Sequence, residues 1–341
     1  MKDLAIAGGG PAGLAAAILG ARAGLDVEVW EPREGVIDKA CGEGIQPAGV
    51  EALARLGVRP DGLPFVGIHY ADAADASLFA HGTFPRGHGL GVRRTTLHAA
   101  LREAAGAERI AFRAERMTEL PRARWVIGAD GLGSSVARAI NEDIGIGGRL
   151  GVRRHYRVAP WSDRVEVYFA SGAEAYVTPV ARDEVGVALL FSGRAGFDEL
   201  LPRFPLVRAK LGDAEPCSKT RGAGPFERRV RTKARGNVLL VGDAAGYVDP
   251  LTGEGVALGL QTAELAIDCI LHGTPEAYPA RYRALTGTYF RLTRLLRFVA
   301  AHRALHAPLL RGARLLPAAF DATLGLLAHG SMTRAAKSST W

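Results

Sequence analysis

The sequence predicts an α/β fold in which a parallel sheet receives an inserted antiparallel β-sheet and is followed by a helical C-terminal segment. Three observations predict this fold class. The N-terminal region alternates strand, helix and strand, residues 150–191 form Val-rich alternating runs, and the chain beyond residue 280 has a helical pattern throughout.

The N-terminal elements predict the parallel sheet. Residues 4–8 are typical of a buried strand, 11–23 of an Ala/Leu-rich helix and 27–30 of a second strand, and this order favours parallel pairing. Another helix is predicted from Arg94, with Thr95 or Thr96 as its N-cap. The remaining predictions are a helix at 47–56, short strands at 65–70 and 77–80, strands at 124–129 and 237–242, and a helix from about 254.

The middle of the chain has a different hydrophobic pattern. Alternating runs at 150–158, 164–169, 174–179 and 185–191 are separated by Gly, Pro, Ser and Asp, which predicts an antiparallel sheet with one face covered. We therefore expect three modules. They are a discontinuous first domain at 1–63, 84–145 and 230–280, a β-rich domain at 64–83 and 146–229, and C-terminal helices at 281–341.

Composition narrows the class of protein. The 341 residues are 48% hydrophobic and 23% charged, as in ordinary globular proteins, and the net charge of +8 comes from scattered arginines without a basic tract or nucleic-acid motif. No apolar stretch reaches the roughly 20 residues of a membrane span, and no secretion signal opens the chain, so we expect a cytoplasmic enzyme. Cys41, Cys217 and Cys269 lack metal-type spacing, and we expect neither a disulfide nor a bound metal.

A glycine motif between the first strand and helix predicts a Rossmann-like dinucleotide site. In Gly8-Gly9-Gly10-Pro11-Ala12-Gly13, the first glycine permits a tight turn, Gly10 lets the backbone approach a pyrophosphate, and Gly13 lets the helix pack on the strand. The helix N-terminus offers free N–H groups to phosphates. Glu31 ends the second strand, where a carboxylate can accept hydrogen bonds from ribose hydroxyls, and Arg33 follows it at the same site.

Two later segments have related patterns. The segment 126–138 is a strand that ends at Asp130-Gly131, followed by a capped helix. The segment 238–256 is a buried strand that delivers Gly242-Asp243, then a Pro/Gly-rich loop leading into a helix. Together with the glycine motif, these segments resemble the flavoprotein family that includes the single-component aromatic hydroxylases and the geranylgeranyl reductases, over residues 1–270.

The resemblance implies an FAD site built from separate segments. Asp243 matches the carboxylate that holds the ribityl and pyrophosphate region, and Arg94 matches the arginine that reaches the phosphates. Asp130 matches an Asp-Gly motif used for FAD and for passage of the nicotinamide, although a helix cap explains it as well. Matches to the loop beside the isoalloxazine ring are Pro250, Gly253, Gly255 and Val256.

The glycine-containing segment 38–46 resembles loops that line the flavin in this family. Its predicted flavin neighbours are Cys41, Gly42, Gly44 and Gln46. Two interpretations of Cys41 stay open, a redox role and a small side chain packed on the ring. No second glycine motif follows a strand, so we expect no separate NAD(P)H domain. The resemblance to the aromatic hydroxylases implies that NADH or NADPH binds transiently as the reductant, and reduction by a partner flavoprotein stays open.

The resemblance implies an enzyme whose β-rich domain covers the flavin. Isoprenoid reductases carry Tyr-x-Trp-x-Phe-Pro there, whereas this chain has Glu174, Tyr176 and Thr178 before Pro179; Tyr176 and Pro179 remain candidate substrate contacts. The departure favours a monooxygenase that hydroxylates an aromatic or polyketide-like small molecule through a C4a-hydroperoxyflavin. The alternatives are a flavin-dependent C=C reductase of the geranylgeranyl reductase type and a halogenase, whose Trp-x-Trp-x-Ile-Pro motif is absent.

The catalytic residues and the role of the tail stay open. No spacing identifies a base, and the candidates are His69, His81, His88 and His155. In the tail, Leu292, Leu295, Leu296 and Val299 fall on one helical face and Arg291, Arg294 and Arg297 on another. This amphipathic pattern fits closure of the flavin domain, or peripheral contact with a membrane or a carrier protein.

Overall fold

The computed structural model describes residues 1–140 and 143–329. In chain order the strands are β1 (Lys2–Ala7), β2 (Val27–Trp30), β3 (Gly44–Ile45), β4 (Leu63–Phe65), β5 (Gly67–Asp72), β6 (Phe79–Thr83), β7 (Gly89–Gly91), β8 (Ile110–Arg113), β9 (Ala123–Gly128), β10 (Asp143–Gly147), β11 (Leu150–Arg157), β12 (Val165–Ala170), β13 (Ala173–Ala181), β14 (Glu184–Phe191), β15 (Arg221–Ala223), β16 (Glu227–Val230), β17 (Ala234–Arg235) and β18 (Val238–Leu240). The helices are α1 (Pro11–Arg22), α2 (Pro47–Arg55), α3 (Arg94–Gly106), α4 (Ser135–Ala139), α5 (Phe197–Leu200), α6 (Pro205–Leu211), α7 (Gly255–Leu271), α8 (Tyr278–Ala301), α9 (His306–Leu315) and α10 (Pro317–His329).

The first sheet is the predicted parallel one. Its strand order is β17-β18-β9-β1-β2-β8, and every pair except β17 with β18 is parallel. Helix α1 begins with Pro11 in its first turn, a position where the missing N–H costs nothing. A Cβ on Gly20 of α1 would lie 2.9 Å from Leu4 Cδ2, so this glycine lets the helix approach β1 closely.

The second large sheet is the inserted one. Its order is β15-β11-β14-β13-β12-β5-β6, with antiparallel pairs throughout except for β12 and β5, which are parallel. Two distant parts of the chain thus meet in one sheet, because β5 and β6 precede α3 while the other strands follow α4. Smaller sheets, β3-β7-β4 and β10-β16, flank it. The mixed α/β fold class predicted from the sequence is confirmed.

The predicted N-cap of α3 is wrong. The helix begins at Arg94 itself, and its N-cap residue, Arg93, makes no side-chain capping hydrogen bond. The backbone N–H of Arg94 donates instead to Glu43 Oε1 at 2.8 Å. A carboxylate from the 38–46 segment therefore takes the place of the hydroxyl cap that Thr95 or Thr96 was expected to supply.

One residue of the apolar face predicted for the C-terminal helices is exposed. Leu295 of α8 is 58% exposed and lies on the same side as Arg291 and Arg294, as spacings of four and one residues on a helix allow. The other residues of the predicted apolar face are half-buried: Leu292, Leu296 and Val299. Within the described residues, no helix combines the length and the apolar character needed to cross a membrane.

Candidate active site

A single cavity of about 650 Å³ lies where the two large sheets and α7 meet. Most of the residues that the sequence singled out line it, although they come from seven separate segments of the chain. The lining includes Gly8, Gly10, Pro11, Ala12, Glu31, Arg33, Cys41, Gly42, Gly44, Gln46, Arg94, Asp130, Tyr176, Asp243, Pro250, Gly253, Gly255 and Val256.

Two of the predicted site residues lie outside this lining. A Cβ on Gly13 would sit 1.9 Å from the carbonyl oxygen of Gly8, so Gly13 serves the packing of α1 on the turn. Pro179 packs its carbonyl oxygen against Gly91, where a Cβ would come within 1.8 Å. Both residues therefore occupy positions where the backbone of a neighbouring segment leaves no room.

The segments around the glycine turn are in direct contact. A Cβ on Gly242 would lie 3.2 Å from Ala12 Cβ, which places the Asp243 segment beside the turn. The ring of His98 on α3 bonds the carbonyl oxygen of Gly9 at 2.9 Å. Lys39 Nζ lies 3.5 Å from Asp243 Oδ2. The motifs thus meet at one cavity.

The polar groups of the cavity fit a large phosphate-bearing cofactor such as FAD. Arg94 Nε, Gln46 Oε1 and Asp130 Oδ1 are buried without a hydrogen-bond partner among the described residues. Burial lowers the pKa of Arg94, as expected for a cation whose anionic partner is a ligand. A Cβ on Gly10 would meet only Arg94 Nη2, at 3.9 Å, so the turn leaves space beside this guanidinium.

Glu31 holds the turn as well as facing the cavity. Its Oε2 accepts from the backbone N–H of Gly9 at 2.9 Å, and Oε1 accepts from Arg33 Nε at 2.8 Å. Burial acts to raise the pKa of Glu31, but the hydrogen bonds from Arg33 and Gly9 outweigh it and lower the pKa. The carboxylate is therefore ionised and available as an acceptor at the position predicted for the ribose.

The two carboxylate oxygens of Asp130 have different surroundings. Oδ2 accepts from the backbone N–H of Ser135 at 2.6 Å and from its hydroxyl at 2.8 Å, which caps α4. Oδ1 is one of the buried oxygens without a partner. The helix-cap interpretation and the ligand interpretation therefore apply to different atoms of the same side chain.

The 38–46 segment is fixed by contacts to the inserted sheet. Thr178 Oγ1 donates to the carbonyl oxygen of Gly42 at 2.7 Å. Glu43 has a φ of 61°, and it is the one non-glycine residue with positive φ in the described part of the chain. Burial raises the pKa of the Cys41 thiol, which disfavours a thiolate.

A buried charged cluster beside this segment escaped the sequence interpretation. Glu43 Oε2 lies 2.6 Å from His155 Nε2, and Glu43 Oε1 lies 3.6 Å from Arg153 Nε. Arg153 also donates to Asp38 Oδ1 at 2.5 Å. Arg153 lines the cavity and is only 2% exposed. The signal in the sequence was the spacing of Arg153 and His155, two polar residues on one face of a Val-rich strand.

The inserted sheet forms one wall of the cavity with a graded polarity. Its register places Arg153 opposite Ala188, Ala188 opposite Tyr176, and Tyr176 opposite Val167. The wall therefore runs from a buried guanidinium, across Ala188 and the ring of Tyr176, to the apolar corner at Val167 and Phe65. The Tyr176 hydroxyl donates to Glu174 Oε2 at 2.8 Å.

None of the four candidate histidines lines the cavity. His69 and His81 pair with each other through their Nδ1 atoms at 3.0 Å, and His88 is exposed. His155 is buried behind Arg153 and Glu43. Among the described residues, no group of three His, Cys, Asp or Glu side chains could hold a metal ion.

Known proteins resemble this chain in sequence and in fold. Menaquinone reductase of Mycobacterium tuberculosis is 30% identical over 316 residues, which cover 79% of this chain and 76% of the relative. The solved structure of p-nitrophenol 4-monooxygenase PnpA from Pseudomonas putida has a TM-score of 0.81 at 18% identity, covering 97% of this chain and 99% of that one. The flavin-dependent brominase Bmp2 has a TM-score of 0.82 at 15% identity, covering 96% and 93%. No family model matches the chain.

Proposed function

Because the chain belongs to the superfamily of FAD-dependent monooxygenases and geranylgeranyl reductases, we propose that it hydroxylates an aromatic or polyketide-like small molecule. The chain is an FAD-dependent oxidoreductase. In the proposed reaction NADH or NADPH supplies two electrons, one oxygen atom of O2 enters the product and the other leaves as water. The bound flavin supplies the activation of O2.

The graded wall of the cavity carries this proposal. A bare hydrocarbon chain gains nothing from a buried guanidinium, whereas a phenolic or enolic oxygen can accept a hydrogen bond from one. Arg153 Nε lies 3.6 Å from Glu43 Oε1 and makes no hydrogen bond with the described residues. The apolar side chains opposite, Val167 and Phe65, suit the ring that bears such an oxygen.

Arg153 is held in place before any substrate arrives. Asp38 accepts a hydrogen bond from one end of the guanidinium. Burial acts to raise the pKa of Asp38, but the hydrogen bonds from Arg153 and Arg221 outweigh this effect and lower the pKa. Glu43 faces the other end at 3.6 Å. A guanidinium fixed in this way orients the ring and stabilises negative charge on its oxygen, which makes the ring more electron-rich.

Two further features of the chain support an oxidation at this site. The N–H groups at the start of α7, from Gly255 onward, point their positive dipole end toward the cavity, where they can stabilise the negative charge of a reduced flavin. The apolar side chains of Phe65, Val165 and Leu251 exclude water from the corner beside that loop.

The test is incorporation of oxygen from ¹⁸O2. Purified protein with FAD, NADPH or NADH and a panel of phenols and enolic ring compounds should give a product carrying one ¹⁸O atom, with consumption of O2 in step with product. Products formed equally well without O2, or a halogenated product when bromide is present, would refute hydroxylation.

Arg153→Met should lower kcat/KM by roughly 10- to 100-fold, as expected for loss of a hydrogen bond to a charged group. Arg154→Met is the matched control, because Arg154 lies on the opposite face of β11 and pairs with Asp198. Arg153→Lys keeps the charge and should retain an intermediate activity with a raised KM. Equal activities for the Met variants at 153 and 154 would remove Arg153 from the substrate site.

A second candidate, reduction of a C=C bond in an isoprenoid or quinone-linked chain, is favoured by the 30% identity to menaquinone reductase. The same assay separates the two candidates. Reduction would proceed under argon and add two hydrogen atoms to the product, whereas hydroxylation stops when O2 is removed.

A further inference from the structure

The C-terminal helices have an unusual charge distribution. From residue 277 to 320 the sequence contains no Asp and no Glu, but it contains eight arginines: Arg281, Arg283, Arg291, Arg294, Arg297, Arg303, Arg311 and Arg314. Two of these are neutralised by carboxylates elsewhere, Arg281 by Asp268 and Arg297 by Glu227. Arg294 and Arg303 are exposed and form no ion pair with any part of the chain that the structure describes.

The same helices expose large apolar side chains. On α8, Leu295 is 58% and Phe298 is 56% exposed, and at the junction of α9 and α10, Leu315 is 79% and Leu316 is 65% exposed. Isolated exposed leucines are common on protein surfaces, but these stand on helices that pack on one another.

Apolar and basic residues share one side of α8. Arg291, Arg294, Leu295 and Phe298 are separated by three, one and three residues, which places them on one face of the helix. An intramolecular role for this face would require acidic partners, and Arg291 and Arg294 form no ion pair with the described residues. Phe298 packs against the ring of its neighbour His302, with 4.2 Å between ring centroids, and is still 56% exposed. Arginines combined with exposed Leu and Phe are typical of helices that lie in the interface of a bilayer.

We propose that this surface docks the protein on anionic phospholipid bilayers. We call it the tail face and define it by Arg291, Arg294, Leu295, Phe298, Arg303, Arg311, Leu315 and Leu316. The arginines pair with lipid phosphates, and the leucines and Phe298 enter the headgroup region. The absence of carboxylates from 277 to 320 selects a uniformly anionic surface over a protein partner of mixed charge.

The helices that carry the tail face pack with their buried residues against residues of the cavity wall. Ala300, Leu310 and Leu324 share one apolar cluster with Phe65 and Val167. Docking would therefore bring the apolar corner of the cavity near the bilayer, which suits a lipid-soluble substrate. This consequence rests on the proposed function, whereas the docking itself does not.

The test is co-sedimentation of the FAD-loaded protein with vesicles. Vesicles of phosphatidylcholine with about a third phosphatidylglycerol should bind the protein at low salt and release it at high salt, because charge attraction falls within a Debye length. Pure phosphatidylcholine vesicles should bind it far more weakly. Absence of binding to the anionic vesicles at low salt would overturn the proposal, and so would equal binding to both kinds of vesicle.

Variants locate the contact. Each of Arg294→Gln and Arg303→Gln should weaken vesicle binding about five-fold, the factor equivalent to about 1 kcal/mol per basic residue. The double variant Phe298→Glu/Leu315→Glu should abolish it. The control variants are Arg59→Gln and Leu120→Glu, which change exposed residues outside the C-terminal helices. Retention of bound FAD shows that each variant is folded.

Unchanged vesicle binding by the Phe298→Glu/Leu315→Glu variant would overturn the assignment of the contact to the tail face. A dimer in light scattering that dissociates in this variant, without vesicle binding by the wild type, would assign the face to a second copy of the chain instead. Enzyme activity on water-soluble substrates is measured in parallel, so that failure of docking and failure of the proposed reaction are distinguished.

Discussion

Glu43 links three parts of the active site through one buried side chain. Its carboxylate caps α3 at the N–H of Arg94, at 2.8 Å, and bonds His155 Nε2 at 2.6 Å. Its backbone has a φ of 61°, a conformation that costs energy in any residue other than glycine. The carboxylate contacts must therefore outweigh the backbone strain, and Glu43 acts as a positioning residue for Arg94 and Arg153.

Glu43→Gln should lower the free energy of unfolding by about 2 kcal/mol, because a hydrogen-bonded buried charge is lost. It should also weaken FAD binding, since the N-terminus of α3 carries Arg94. Glu43→Gly removes the strain together with the carboxylate, and we expect it to be destabilising too. Urea unfolding and FAD titration check this, with the exposed Glu51→Gln as control. A Gly variant more stable than the wild type would show that strain dominates.

Glu254 is a buried acid with no counter-ion in the part of the chain that the structure describes. It precedes α7, it is 4% exposed, and Oε1 has no hydrogen-bond partner among the described residues. Burial raises its pKa well above the ordinary value. The folded protein therefore keeps this proton at a pH where the unfolded chain, with a pKa of about 4.3, has released it.

The stability contributed by protonated Glu254 is complete below the unfolded pKa and is lost as pH rises toward the folded value. Glu254→Gln cannot titrate, so its stability relative to wild type should increase between about pH 5 and pH 8. Urea unfolding of the FAD-loaded proteins at both values measures the difference, and Glu51→Gln should show no such trend. A constant difference between Glu254→Gln and wild type would contradict a raised pKa.

At the scale of elements, different glycines of the glycine turn serve the packing of the fold and the binding of a ligand. Gly10 has φ −74° and ψ 179°, which alanine adopts without strain, and its Cβ would meet only Arg94 Nη2 at 3.9 Å. Gly13 has no such freedom, because its Cβ would lie 1.9 Å from the Gly8 oxygen.

Gly10→Ala should therefore change the free energy of unfolding of the FAD-free protein by less than about 0.5 kcal/mol, while FAD affinity falls by at least about 10-fold. Gly13→Ala should destabilise the fold itself. Gly106→Ala, where a Cβ meets nothing within 4 Å, is the neutral control. Thermal unfolding and FAD titration measure both properties. Wild-type FAD affinity in Gly10→Ala would exclude a close approach of the cofactor to this residue.

The elements were predictable where their signals are local. Strands at 4–8 and 27–30 and the helix between them follow from periodicity and the glycine motif, and the structure has β1, α1 and β2 there. The cap of α3 was not predictable from neighbouring residues, because Glu43 is 51 positions away from Arg94. The charged cluster around Arg153 likewise depends on tertiary packing, which brings Asp38 and Glu43 to β11 across more than a hundred residues.

At the scale of the molecule, the discontinuous fold explains why motifs so far apart form one site. Strands β1, β9 and β18 end at the same edge of the parallel sheet, so the residues that follow each of them, Gly8, Asp130 and Asp243, meet there. The inserted sheet closes the opposite wall. The parallel pairing of β5 with β12 could not be foreseen, because it joins segments about a hundred residues apart through tertiary packing alone.

The convergence of these segments on one FAD is tested most directly by titrating FAD-free protein with FAD and following flavin fluorescence and heat. The account predicts one FAD per chain, with affinity reduced in Asp243→Asn and in Glu31→Gln, which lie on different segments, and unchanged in Glu51→Gln. A wild-type chain that takes up no FAD, or Asp243→Asn and Glu31→Gln variants that bind it as tightly as the wild type, would contradict it.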